Sequence, residues 1–109
     1  MNGLDLTFAA LADPTRRAIV ARLARGEATV GELAKPFRIT APAISRHLKV
    51  LEGASLISNE RQGKHRLCRL NPKALTSASE WIESHRHFWS QSFDRLETHL
   101  KKKTGDQQS

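Results

Sequence analysis

Within five residues of this chain stand a hydroxyl, two cations and an imidazole: Ser45, Arg46, His47 and Lys49. Such a set suits two chemistries, nucleophilic catalysis by a serine with a histidine base, or the binding of a polyanion. Spacing separates them. On a helix, Ser45 and His47 point about 200° apart, so they share no face and form no nucleophile–base pair. The 109 residues contain no glycine-rich phosphate loop and no acid pair. A chain this short also has little room for a catalytic pocket beside its core. An enzyme is not expected.

The distribution of charge favours the polyanion. Net charge is +7 and the isoelectric point about 10.3. Between Lys35 and Leu51 lie four bases (Lys35, Arg38, Arg46, Lys49) and no acid. Between Arg61 and Lys73 lie five (Arg61, Lys64, Arg66, Arg69, Lys73), again without an acid. The other nine bases face all 11 acids elsewhere in the chain. A positive field confined to two stretches is the footprint of a phosphate-binding surface. The single Cys68 offers neither an internal disulfide nor a dithiol switch, so a reducing, cytoplasmic compartment is expected. No apolar run approaches the roughly 20 residues that span a bilayer, and Met1-Asn-Gly-Leu-Asp5 lacks the pattern of a secretory signal. No membrane partner and no cofactor is expected.

The elements that must carry these residues follow from periodicity. Leu4, Phe8 and Leu11 suggest a short amphipathic first helix. Asp13-Pro14 reads as N-cap and first residue of a second helix, which buries Ile19 and Leu23 and ends near Gly26. Val30–Lys35 predicts a third helix, closed by Pro36. Thr40 caps a fourth over 40–53, in which Ile44, Leu48 and Leu51 form one apolar face. Two helices joined by a few residues, the second basic on its outer side, have the shape of a helix-turn-helix. The segment 56–70 then reads as a two-stranded hairpin turning at Gln62-Gly63-Lys64, a basic wing. The expected fold is mainly α with a small β-hairpin: a single winged helix-turn-helix domain over 1–103.

A long last helix is expected over 72–103, about 48 Å at 1.5 Å per residue, followed by a polar tail over 104–109. Leu75, Ile82, Trp89 and Leu96 repeat every seven residues, and Ala78, Phe93 and Leu100 widen the stripe. Trp81, Phe88, Trp89 and Phe93 place four of the six aromatics here. A stripe this long exceeds what a chain of this size covers by itself, and a partner helix from a second subunit is the natural answer.

Several blocks together resemble the ArsR family of bacterial repressors. They are Leu11-Ala-Asp-Pro-Thr-Arg-Arg-Ala-Ile19, Thr29-Val-Gly-Glu-Leu-Ala34, Pro42-Ala-Ile-Ser-Arg-His-Leu-Lys-Val-Leu-Glu52, Arg61-Gln-Gly-Lys64 and Arg69-Leu70. The likeness runs over about residues 4 to 100. The Phe88-Trp89 segment and the lack of metal cysteines are similar to a subgroup often encoded beside small ligand-binding or stress-related proteins. The resemblance implies a homodimer built from the first and last helices, hence an interface drawn from Leu4, Phe8, Leu75, Ile82, Trp89, Phe93 and Leu96. It also implies repression through a palindromic operator in duplex DNA, commonly in the regulator's own promoter.

In a helix-turn-helix the start of the recognition helix enters the major groove. With Ile44, Leu48 and Leu51 inward, Ala41, Pro42, Ser45, Arg46 and Lys49 face the DNA. Ser45 fits against base edges, and Ala41 and Pro42 suit a thymine methyl. Arg46 suits either a guanine or a phosphate, and Lys49 a phosphate. Thr40 either caps its helix or bonds a phosphate. Arg61, Lys64 and Arg66 of the wing are expected on the DNA backbone. Two alternatives stand beside this reading. One is a winged-helix module that binds protein or RNA. The other is a metal-responsive repressor using His85, His87 or His99. Glu83-Ser-His85 matches the first half of the family's intersubunit metal motif, but its second half is missing, and the third helix has no cysteine. No metal site is assigned, and the effector is unknown.

Overall fold

In the computed structural model the described residues are 3–108, with side chains described through Lys102. They fall into two units, one ending at Ala78 and the other starting at Ser79. The boundary lies inside the last helix.

The first unit holds five helices, counting the start of the last, and a small sheet. Helix α1 spans Gly3–Leu11 and α2 spans Pro14–Leu23. Strand β1 is Ala28–Thr29, α3 is Val30–Ala34, and a single 3₁₀ turn covers Lys35–Phe37. Helix α4 is Ala41–Gly53, strands β2 and β3 are Ile57–Gln62 and His65–Leu70, and α5 runs Pro72–Gln108.

Local chemistry sets most of these boundaries. The Asp13 carboxylate accepts from the Arg16 backbone N–H at 2.9 Å, with Pro14 where no N–H is needed. Thr29 caps α3 through a reciprocal box. Its hydroxyl accepts from the Glu32 N–H at 3.2 Å, and the Glu32 carboxylate accepts from the Thr29 N–H at 3.2 Å. Thr40 caps α4 by accepting from the Ala43 N–H at 3.2 Å. Pro36, expected to end the third helix, instead sits in the 3₁₀ turn, after which Arg38 takes a left-handed φ of 52° and reverses the chain.

The sheet has the order β1-β3-β2, all antiparallel. Its third strand was not expected. At two residues β1 is too short to show alternation, and only pairing with Cys68 and Leu67 defines it. The hairpin closes on Gly63, whose φ of 59° suits glycine. Ile44, Leu48 and Leu51 of α4 are buried as expected, together with Ile19, Leu23, Leu33, Leu56 and Cys68.

In α1 the buried residues are Thr7 and Ala10, with Leu6 and Leu11 partly buried against the core, while Phe8 is exposed. The Thr7 hydroxyl bonds the Gly3 carbonyl at 2.9 Å, which lets a polar residue sit inside. Leu75, placed by its heptad spacing in the intersubunit stripe, packs partly buried on the core of its own unit, near Ala74 and the buried Ala78. The last helix reaches Gln108, so residues 104–108 are helical, where a tail was expected.

In the second unit, the helix from Ser79 onward exposes Ile82, Phe88, Phe93 and Leu96. Phe93 is 66% and Phe88 60% exposed. His85 stacks on Trp81 with ring centroids 4.5 Å apart and lies 5.8 Å from the ring of Trp89. Its Nδ1 lies 2.9 Å from the Trp81 carbonyl and 3.0 Å from the Ser84 hydroxyl.

Candidate nucleic-acid interface

Helix α4 presents three sides. Ile44, Leu48 and Leu51 go inward, and opposite them Ala41, Pro42, Ser45, Arg46 and Lys49 are exposed. The Thr40 hydroxyl caps the helix as an acceptor and keeps its own O–H to donate.

Ser45 and Lys49, one turn apart, share a groove with the wing. Its volume is about 520 Å³, and Lys64, His65 and Arg66 of the hairpin form the far wall. The start of α3 (Val30, Gly31) and Asn59 complete it, residues that the sequence pattern assigns to no site. Glu52 is its single acid. Arg46 does not line this groove. Arg61 lies on β2 directly opposite Arg66. Like charges so placed repel one another, and an anion between them relieves that repulsion.

The basic footprint is narrower than the sequence suggested. Arg69 bonds Glu27 at 2.6 Å and lies 3.7 Å from Glu60, so its charge is answered within the fold. Those two carboxylates raise its pKa further. The opposite flank of α4 is formed by Ala43, Arg46, His47 and Val50. There the Arg16 guanidinium comes within 3.4 Å of His47 Nδ1. The sequence had signalled Arg16 only as part of the Asp-Pro-Thr-Arg-Arg block, with no role.

Among the described residues no three His, Cys, Asp or Glu side chains gather as metal ligands, and no helix is long and apolar enough to cross a membrane. Burial pushes the Cys68 thiol up from its ordinary pKa.

A paired helix-turn-helix, a basic hairpin beside its second helix and a shared cationic groove define a winged-helix DNA-binding protein. A helix-turn-helix domain model matches residues 11–58. An HTH-type transcriptional regulator of Mycobacterium tuberculosis is 42% identical, over 81% of this chain and 79% of that one. The transcriptional repressor SdpR of Bacillus subtilis is 40% identical, over 72% of this chain and 88% of that protein. The crystal structure of an ArsR family transcriptional regulator superposes with a TM-score of 0.77 at 40% identity, over 82% of this chain and 98% of that one. The chain belongs to the ArsR family of transcriptional regulators. It is a regulator of transcription and not an enzyme.

Proposed function

We propose that this chain is a cytoplasmic homodimeric repressor that binds a palindromic operator, its own promoter included. The observation that carries the reading is the shared groove. Ser45 and Lys49 of α4 face Lys64 and Arg66 of the wing across it. A helix seated in the major groove with a basic hairpin on the adjoining backbone makes these contacts together. In this reading Thr40, Ala41 and Pro42 bring the helix start against the bases, Ser45 reads base edges, and Arg46 and Lys49 hold the duplex. Arg61, Lys64 and Arg66 position it.

A single recognition helix covers half a site. Selecting a sequence needs a second copy about one DNA turn away. The exposed Ile82, Phe93 and Leu96 and the half-buried Trp89 of α5 supply an apolar face for that second copy, and Leu4 and Phe8 of α1 are separate candidates for contact with it.

The test is binding to a duplex from the region upstream of the chain's own coding sequence, with a scrambled duplex as reference. The wild-type protein should prefer the upstream duplex, and binding should weaken steeply with salt. Replacing Arg46 and Lys49 together by alanine should abolish the salt-dependent binding. Equal affinity for both duplexes would refute autoregulation.

A further inference from the structure

The recognition helix has a second cationic hollow, on the flank away from the wing. Arg16, Ala43, Arg46, His47 and Val50 enclose about 210 Å³ there, with no carboxylate among them. Arg16 is fixed in place from behind. Its Nε donates to the Ala10 carbonyl at 2.7 Å and its Nη2 to the Ala9 carbonyl at 3.3 Å, which satisfies the open end of α1. Its remaining nitrogen, Nη1, lies 3.4 Å from His47 Nδ1. The Asp13 carboxylate lies 3.9 Å from the same Nδ1.

This arrangement leaves the imidazole two ways to be satisfied. When neutral, the ring accepts from Arg16 at Nδ1 and carries its proton on Nε2. When protonated, it turns the Nδ1–H toward Asp13 and still carries a proton on Nε2. In both states Nε2–H is the donor left for a ligand. The charged groups facing His47 are Asp13 and Arg16 of α2 and Arg46 of α4. Helix α1 meets this cluster through the carbonyl oxygens of Ala9 and Ala10.

A major groove about 12 Å wide has a phosphate rim on each side. Lys49, Lys64 and Arg66 lie on the wing-side flank of α4, and Arg16, Arg46 and His47 on the other. We propose that Arg16, Arg46 and His47 form a phosphodiester site for the DNA strand opposite the one met by the wing, and that protonation of His47 tightens it. The inference rests on the DNA-binding reading above and assigns Arg46 to a phosphate. A bound phosphate favours the charged imidazole, so binding takes up protons and affinity rises as pH falls.

The test uses the full chain and the upstream duplex, with affinity measured by fluorescence anisotropy across a potassium chloride series at about pH 8 and about pH 6. Arg46→Gln should lower the slope of log affinity against log salt by about 0.9 for each phosphate that is no longer neutralised, twice that in a dimer. His47→Gln should weaken binding and remove most of the gain between the two pH values. Arg16 is left intact because it also closes α1. A wild-type gain that survives His47→Gln, or an unchanged slope in Arg46→Gln, would overturn the site. Failure of the wild-type chain to bind any duplex would overturn the DNA reading itself.

Discussion

Cys68 lies on β3 opposite Asn59, between the buried strand faces, and is fully enclosed. Burial disfavours its thiolate, the reactive form. The native thiol should therefore react with iodoacetamide far more slowly than the urea-unfolded chain, as mass spectrometry would show. Equal rates would mean the strand is open. Cys68→Ser places a hydroxyl in the same enclosure and should cost about 1–3 kcal/mol if it finds no partner, read from denaturant midpoints. Asp13 gives a pH-dependent counterpart. The backbone N–H of Arg16, ahead of the nearby cations, holds its carboxyl below the ordinary 3.8. A depressed carboxylate stabilises the fold above its unfolded pKa and loses that contribution as pH falls through the folded one. Asp13→Ala should thus be less stable than wild type at neutral pH, the gap closing below about pH 3.8 in thermal melts. Caps such as Asp13 and Thr40 were legible because a cap involves residues three apart. The Thr29–Glu32 box carried an equally local signal, Thr-x-x-Glu, which went unread. The Arg16–His47 contact joins residues 31 apart, and no periodicity announces such a pair.

At the scale of elements, α4 shows what patterning can fix. Its inward face was readable because Ile44, Leu48 and Leu51 follow the helical period, and all three are buried. Leu51 is fully enclosed, so Leu51→Ala should remove about 2–5 kcal/mol and shift the urea midpoint without changing its slope. Helix α1 has a mixed inner face. Leu4, Phe8 and Leu11 match the period, while Thr7 and Ala10 are the fully buried residues, with Leu6 and Leu11 packed partly buried against the core. The wing was legible from its glycine. Gly63 holds a left-handed φ with open space around its α-carbon, so Gly63→Ala meets backbone strain and no clash. It should destabilise the hairpin by about 1–2 kcal/mol and weaken duplex binding through a misplaced Lys64 and Arg66. Strand β1 was invisible because its two residues are defined by the strand they join.

At the scale of the molecule, one chain does not account for its own last helix. From Ser79 onward the helix is a unit with an aromatic and aliphatic face open to solvent, while Leu75, earlier in the same heptad pattern, packs on the core of the first unit, to which it belongs. The sequence showed the stripe but not where it changes its task, because a heptad count is blind to which core a residue meets. A second copy that covers Ile82, Trp89, Phe93 and Leu96 would remove this surface from water, at about 25 cal/mol for each Å² of apolar area. Phe93→Asp puts a charge in the middle of that face and touches none of the residues in the core of the first unit. The variant should sediment as a monomer where wild type sediments as a dimer, and its melting temperature should lose the dependence on protein concentration that a dimer shows. Its circular dichroism should keep the helical signal of α2 and α4. Its recognition helix should remain intact, so it should still bind DNA weakly in low salt but no longer prefer the upstream duplex. A Phe93→Asp chain that sediments as a dimer and keeps that preference would move the dimer contact away from this face of α5.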